Sequence, residues 1–375
     1  MRIEDFCDII GGDFFTGVPD SLLKPLADYL LDNYDDVSKH IIAANEGNAI
    51  AIGAGYYLST GKVPVVYMQN SGQGNAVNPI VSLLHPKVYG IPEILIIGWR
   101  GEPGIMDEPQ HSFQGEITLK LLEMLEIEYC VIRKDTSLQE LSHYMENNQI
   151  KLTQGKSVAI VVTKDALLYE KKKYTNSYSM KREDVLQHIL GITCFDPIIS
   201  TTGKTSRELF ELREKMDITD NTNIHARDFL TVGSMGHSSS IALGIALQLS
   251  EKNVWCIDGD GALLMHGGAM AVIGKARPRN LIHVVINNGA HESVGGQPTA
   301  ANGVDLTSVA KACGYEYANC VSDFNSLDKI LNEYANIQGL RFLEIKTAIG
   351  SRDDLGRPNI PPKQNMDSFM KLCDE

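Results

Sequence analysis

Apolar runs alternating with helical patterns predict an α/β protein built from two similar, doubly wound parallel-sheet domains. Three observations carry that expectation. Runs rich in β-branched residues recur between helix-length segments along the whole chain, the pattern of parallel sheets covered by helices. The two halves repeat one another at three stations in the same order. Finally, 375 residues with 43% hydrophobic content and 33 glycines suffice for two large cores joined by many tight strand-to-helix turns.

In chain order the candidate strands include residues 13–16, 63–68, 94–97, 158–162, 197–201, 254–257, 284–286 and 342–345. The repeat begins with Phe15-Thr-Gly-Val-Pro-Asp-Ser21, which resembles Thr201-Thr-Gly-Lys-Thr-Ser206. Ile50-Ala-Ile-Gly53 then matches Ile241-Ala-Leu-Gly244. After these, the run ending at Met68 leads into Asn70-Ser-Gly-Gln-Gly74 as the run ending at Ile257 leads into Asp258-Gly-Asp-Gly261. Between the halves, residues 169–176 are polar, lysine-rich and without periodicity. We therefore expect a first domain over 1–168, a linker over 169–180 and a second domain over 181–375.

Composition narrows the function. A net charge of −13 argues against nucleic acid, since the one dense basic run, Lys171-Lys172-Lys173, reads as part of the linker. The cysteines (Cys7, Cys130, Cys194, Cys256, Cys313, Cys320, Cys373) are scattered and form no C-x-x-C, which suits a reducing compartment. No signal-peptide core opens the sequence and no stretch of 18 apolar residues spans a membrane. The expectation is a cytoplasmic protein that acts on a small molecule.

Gly259-Asp260-Gly261, followed by Asn287-Asn288 after the next apolar run, is the most informative motif. Two parallel strands joined through a helix would bring these segments together at their carboxyl ends, where α/β sheets bind ligands. A carboxylate, a carboxamide and a nearby carbonyl form a hard oxygen site suited to Mg²⁺, whose remaining positions are often filled by phosphates. GDG with NN at this spacing resembles the thiamine-diphosphate motif of thiamine-dependent enzymes. That resemblance implies thiamine diphosphate as cofactor and Mg²⁺ held by Asp260, the Asn288 side chain and the Ala290 carbonyl, with Asn287 the less favoured amide. It also implies a pyrimidine domain followed by a diphosphate domain, and a homo-oligomer, dimer or higher, with active sites between subunits.

Further residues gain meaning from the same resemblance. Glu46, in Ala43-Ala-Asn-Glu46-Gly, stands where these enzymes keep the glutamate that activates the aminopyrimidine; alone it would read as an ordinary helix-start acid. Gly233-Ser234-Met235-Gly236 resembles the G-x-M-G segment whose bulky side chain wedges between the cofactor's rings, although methionine also serves as plain core filling. Thr202 and Gly203 lie in Thr201-Thr-Gly-Lys-Thr, which lacks the first glycine of a P-loop yet can present N–H groups to an anion. Asn70 and Gly72 resemble part of the S-G-P-G loop of thiamine decarboxylases, with Gln in place of Pro. His111 ends a long Gly/Pro loop near where related decarboxylases carry active-site histidines; a surface histidine is the alternative.

From end to end the chain resembles the phosphonopyruvate decarboxylases. The carriers are Thr16-Gly-Val-Pro-Asp-Ser-Leu-Leu-Lys-Pro25, Gln69-Asn-Ser-Gly-Gln-Gly-Asn-Ala-Val-Asn-Pro79, Trp99-Arg-Gly-Glu-Pro-Gly104, Asn287-Asn-Gly-Ala-His-Glu-Ser-Val-Gly-Gly-Gln-Pro298 and Gly350-Ser-Arg-Asp-Asp-Leu-Gly-Arg-Pro358. Asn287 departs from the Asp expected there. The family implies non-oxidative decarboxylation of 3-phosphonopyruvate to phosphonoacetaldehyde and CO₂, within phosphonate biosynthesis of the aminoethylphosphonate type. A small trianion needs local cations, and Arg100, Lys204, His291 and Arg352 are the candidates. Sulfopyruvate decarboxylase, expected as two separate chains, is the alternative enzyme; a thiamine-diphosphate-binding protein without turnover is the alternative class.

Overall fold

Strands and helices alternate throughout the computed structural model, which describes residues 1–170, 172–193, 196–220 and 224–373. Lys171 and Cys194 lie outside the described residues. Two units are present, Met1–Lys173 with Ser293–Pro298, and Tyr174–Glu292 with Thr299–Glu375.

The first unit runs α1 (Ile3–Ile10), β1 (Phe15–Gly17), α2 (Lys24–Asn33), β2 (His40–Ile42), α3 (Glu46–Thr60), β3 (Val65–Gln69) and α4 (Gln73–Pro79). It continues with β4 (Ile94–Gly98), α5 (Pro109–Met124), β5 (Glu128–Ile132), α6 (Leu138–Thr153) and β6 (Val158–Val162). The second unit begins with α7 (Arg182–Ile192), β7 (Ile198–Ser200), α8 (Lys204–Asp220), β8 (Asp228–Leu230), α9 (Ser238–Ala246), β9 (Val254–Gly259) and α10 (Asp260–Met265). Then come α11 (Gly268–Ala276), β10 (Leu281–Asn287), the two-residue strands β11 (Ala290–His291) and β12 (Gln297–Pro298, in the first unit), and α12 (Leu306–Cys313). The elements β13 (Tyr317–Val321), α13 (Phe324–Asn336), β14 (Arg341–Lys346) and α14 (Pro362–Cys373) complete the chain.

Local chemistry sets the boundaries. The Asn45 side chain accepts from the Gly47 N–H to cap α3, which stops at Gly61 in the left-handed region (φ 70°). Ser137 and Glu140 form a reciprocal capping box on α6. Pro109 opens α5 at the position where its missing N–H costs nothing.

Each unit contains a six-stranded sheet, ordered β2-β1-β3-β4-β6-β5 and β13-β14-β10-β9-β7-β8, with every pairing parallel. Numbered by its own chain order and read from the β8 edge, the second sheet repeats the first: 2-1-3-4-6-5. The eight candidate strands read from the sequence are the eight inner strands. The four edges, β2, β5, β8 and β13, are not among them. A strand buried on both faces reads as a continuous apolar run, as Val158–Val162 does, whereas β13 exposes three of its five residues.

Helices cover both faces of each sheet. Phe6, Leu26, Tyr67 and Ile160 belong to one layer of the first unit, and Ile50, Met68, Leu95 and Val161 to the other. In the second unit Trp255, Ile282 and Leu343 pack on one face, and Cys256, Val285 and Phe342 on the other. Among the described residues no helix is long and apolar enough to cross a membrane. Cys7, Cys130, Cys256, Cys313 and Cys320 are free thiols.

Candidate active site

In both sheets the strand order reverses between the first and third strands, β1/β3 and β7/β9. The crevice outside the carboxyl ends at such a reversal is where doubly wound sheets bind ligands. The sequence-selected residues fall largely on these ends.

In the first unit, Glu46 opens α3 and is only 4% exposed. One carboxyl oxygen accepts from Asn75 Nδ2 at 2.7 Å. Burial raises its proton affinity above that of an ordinary glutamate, against the lowering effect of that hydrogen bond. Gly72 lies flat against this carboxyl: a Cβ there would fall 2.5 Å from Oε1. The glycine is thus required by Glu46 itself.

Asn70 is wholly buried, and its side chain is committed inside the unit. Nδ2 donates to the Arg100 carbonyl and to Thr118 Oγ1, both at 2.8 Å, while Oδ1 accepts from the Arg100 N–H at 3.2 Å. Asn70 therefore clamps the end of β3 to the loop after β4. That loop is shorter than the sequence suggests. It ends at Glu108, and His111 is a buried residue in the first turn of α5, not a loop residue.

Asp20, not singled out from the sequence, is the missed residue of this unit. It is 0% exposed just after β1, accepts from the Leu22 N–H at 3.0 Å, and lies where a Cβ on Gly98 would meet it at 2.1 Å. Its Oδ1 is buried without a hydrogen-bond partner. Desolvation pushes the carboxyl up to about 6, although Arg100 and the backbone N–H groups pull the other way. The signal available was only an aspartate after Gly-Val-Pro at a strand end.

In the second unit the β9–β10 register sets Gly259 beside Ile286, so Asp260 and Asn287-Asn288 leave neighbouring strand ends together. Asp260 opens α10, is 4% exposed, and accepts from Thr299 Oγ1 at 2.5 Å. Burial pushes its carboxyl up to about 6. Asn287 spends its amide on Glu344 (2.7 Å) and on the Gly289 N–H (2.9 Å). Asn288 donates to Glu292 at 2.7 Å and accepts from the Ala290 N–H at 3.0 Å. Gly261 leaves little room, since a Cβ would meet the His291 ring at 3.3 Å. Gly259 differs: its φ is −112° and the nearest atom to an added Cβ would be 3.9 Å away. Neither backbone nor packing demands glycine there, but close approach of a ligand would.

Beside these segments, Thr202 Oγ1 accepts from the Gly233 N–H at 3.1 Å, tying the turn after β7 to the Gly233–Gly236 loop. Gly203, Gly233, Ser234 and Gly236 all have positive φ (94°, 71°, 44° and 85°), and Ser234 bears the strain of a non-glycine there. Met235 is half-buried between them. A buried carboxyl with no cation in hydrogen-bond contact among the described residues, an oriented amide oxygen, a carbonyl and an open glycine fit a divalent cation with a diphosphate. A separate set of metal-type donors, Cys256, Asp258 and His283, is wholly buried, its atoms within 4.8 Å of one another.

Three of the four basic candidates are held by carboxylates, and the fourth is uncharged. Arg100 makes a two-point ion pair with Asp107, at 2.8 and 2.5 Å, and donates to Ser21. Lys204, the first residue of α8, pairs with Glu292 at 3.1 Å. Arg352 meets Glu183, Glu211 and Asp354. His291 is buried and desolvated, its pKa lowered to about 4, so at neutral pH it is an uncharged hydrogen-bonding group. Basic letters in a sequence do not reveal the carboxylates that fold against them.

Comparison with known proteins agrees with the geometry. Residues 3–124 match the family model of the thiamine pyrophosphate enzyme N-terminal TPP binding domain, and residues 212–345 that of the C-terminal TPP binding domain. A phosphonopyruvate decarboxylase of Streptomyces viridochromogenes is 34% identical over 373 residues, covering 95% of this chain and 90% of its own length. One from Streptomyces hygroscopicus is 32% identical, covering 98% and 92%. A sulfopyruvate decarboxylase of Methanosarcina acetivorans is 27% identical, covering 97% of this chain and 95% of its own. That relative carries both halves on one chain, so fusion of the halves does not separate the two substrates as expected. By near-full-length identity and by both domain matches, the chain belongs to the phosphonopyruvate decarboxylase family of thiamine-pyrophosphate-dependent carboxy-lyases.

Proposed function

We propose that the protein catalyses the Mg²⁺-dependent, non-oxidative decarboxylation of 3-phosphonopyruvate to phosphonoacetaldehyde and CO₂. The observation that carries this reading is Asp260, a buried carboxyl at the β7/β9 reversal with no cation in hydrogen-bond contact among the described residues, in a chain 34% identical to a phosphonopyruvate decarboxylase. Asp260, Asn288 and the Ala290 carbonyl would hold Mg²⁺. Thr202, Gly203 and the Gly233–Gly236 loop would receive the diphosphate, with Gly259 giving it room, Gly261 letting the His291 ring pack beside Asp260, and Met235 supporting the rings. Asn70 would act by fixing the loops around the pyrimidine side.

When bound, thiamine diphosphate supplies a carbon that adds to the keto group and stores the electron pair left behind by CO₂. Glu46 would hydrogen-bond the aminopyrimidine through a carboxyl whose proton affinity is raised by burial. Asp20, protonated up to about pH 6, would return a proton from its partnerless Oδ1 to the carbon that lost CO₂. His111, on the first turn of α5, is the second candidate for proton delivery. Arg100, Lys204 and Arg352 would meet the phosphonate by exchanging a carboxylate partner for it, and His291 as a neutral hydrogen-bonding group.

We further propose a cytoplasmic homo-oligomer of two or more copies, with active sites shared between subunits. Its place would be in phosphonate biosynthesis, where loss of CO₂ draws an unfavourable preceding step forward. Sulfopyruvate is the second reading, favoured by the near-full-length Methanosarcina acetivorans relative. The test compares kcat/KM for CO₂ release from the two acids, with and without thiamine diphosphate and Mg²⁺. The proposal expects phosphonopyruvate to be preferred by about tenfold or more, a difference of about 1.4 kcal/mol, and turnover to require both additions. Preference for sulfopyruvate, or turnover without cofactor, overturns it.

A further inference from the structure

A side-chain amide offers a metal its oxygen end only if something fixes which way round it sits. Its NH₂ and oxygen ends have nearly the same shape and differ only in donating or accepting. At Asn288 the fixing group is Glu292. The Glu292 carboxylate accepts from Asn288 Nδ2 at 2.7 Å through Oε2. An ionised carboxylate only accepts, so a flipped amide would set oxygen against oxygen. The Asn288 Oδ1 is thereby turned the other way, toward the Ala290 N–H, with a second lone pair left over.

Glu292 is itself held from two sides. Arg182, the first residue of α7, donates to Oε2 at 3.0 Å and to Oε1 at 3.4 Å, and Lys204 donates to Oε1 at 3.1 Å. Arg182 is fixed in turn by a two-point pair with the buried Glu208, at 2.7 and 2.8 Å. This network ties the start of α8, directly after Gly203, to the turn that carries Asn288.

We propose that Glu292 is a positioning residue for metal binding, which orients the Asn288 amide so that its oxygen faces the cation. The inference rests on the Mg²⁺ and thiamine-diphosphate reading above. It gives a sharp expectation for Glu292→Gln. Arg182 and Lys204 only donate, so the single oxygen of the glutamine turns to them and its NH₂ turns to Asn288. Asn288 then flips to accept, and the metal loses a ligand. Asn288→Asp restores an oxygen at either end, and beside a neutral glutamine it meets a donor instead of a second carboxylate.

The experiment titrates Mn²⁺ by paramagnetic resonance with thiamine diphosphate present, alongside melting temperatures. Wild type should bind Mn²⁺, Glu292→Gln should bind about tenfold or more weakly, and the double variant Asn288→Asp/Glu292→Gln should recover to within about threefold. A structural role alone would lower the melting temperature without this loss and recovery. Wild-type affinity in Glu292→Gln overturns the proposal, and so does a weakened single variant that the second substitution does not rescue. Should Glu292→Gln fail to fold, Glu292→Ala, which removes the acceptor, serves in its place with the same outcomes. A wild-type chain that binds no Mn²⁺ overturns the metal reading beneath the proposal and is distinguished by failing before any variant is compared.

Discussion

The two units share one strand order, yet their buried carboxyl groups keep different partners. In the first unit Glu46 and Asp20 are buried with few partners and, among the described residues, no ion pair, so burial raises their proton affinity. In the second unit Glu208, Glu292 and Asp228 meet guanidinium groups: Arg182 for the first two and Arg213, at 2.9 and 3.0 Å, for the third. Arg182 and Lys204 hold the Glu292 carboxyl below its usual range even against burial. A carboxyl buried without a cation holds its proton more tightly, whereas one locked to a cation is fixed in its geometry. On the proposed reading the same scaffold would supply proton chemistry in one unit and a rigid cradle in the other. In the second unit Asp260, among the described residues, likewise has no cation in hydrogen-bond contact, and a divalent ion is what would complete it.

Replacing Glu46 tests that division most severely. Glu46→Gln keeps the size and the Asn75 contact but removes the titrating proton. CO₂ release should fall by about a thousandfold, within the range for a general acid or base, while Mn²⁺ affinity and melting temperature stay near wild type. Loss of metal binding in this variant would break the comparison, because the first unit would then be part of the cradle.

Asp20 sharpens it through pH. Its carboxyl is raised from 3.8 to about 6, so the folded state favours the protonated form. The associated stability is complete below the unfolded value and is lost as pH rises through about 6. At about 1.36 kcal/mol per pH unit, that interval corresponds to about 3 kcal/mol. Urea midpoints of wild type and Asp20→Asn, compared at pH 4 and pH 7, should show that the variant escapes this loss. Turnover of the variant should fall by about a hundredfold, and wild-type kcat should decline above about pH 6. A wild-type pH profile flat through that region would remove Asp20 from proton delivery.

The sequence made the inner architecture legible because strands buried on both faces leave an unmistakable apolar run. Edge strands such as Asp228–Leu230 and Tyr317–Val321 pair on one side only and carry polar or exposed residues, so nothing marked them. Asp260, Asn288 and Glu46 stood out in the sequence because glycine and asparagine spacing accompanies them. Asp20 and Glu292 were not, since their significance lies in what surrounds them: an absent partner in one case and three donors in the other. The ion pairs of Arg100 and Arg352 were hidden for the same reason, as a cation's partners, Asp107 in one case and Glu183 and Glu211 in the other, are set by the fold.

Two glycines offer the mildest probe of the contrast. Gly72 (φ −71°) and Gly259 (φ −112°) both have backbones that alanine adopts without strain, so only the added methyl group matters. At Gly72 that group would fall 2.4 Å from Glu46 Cγ, and the carboxyl must move. Gly72→Ala should lose about 1–3 kcal/mol of stability and several-fold in turnover, with thiamine diphosphate affinity little changed. At Gly259 the methyl group makes only an ordinary contact, 3.9 Å from Thr201 Cγ2, so the melting temperature should hold or rise slightly, by the equivalent of about 0.4–1 kcal/mol. The cost there should appear as weaker thiamine diphosphate binding in calorimetric titration. If Gly259→Ala binds cofactor as well as wild type, no ligand approaches that strand end closely, and the contrast between a glycine kept for a carboxyl and one kept for a cofactor fails.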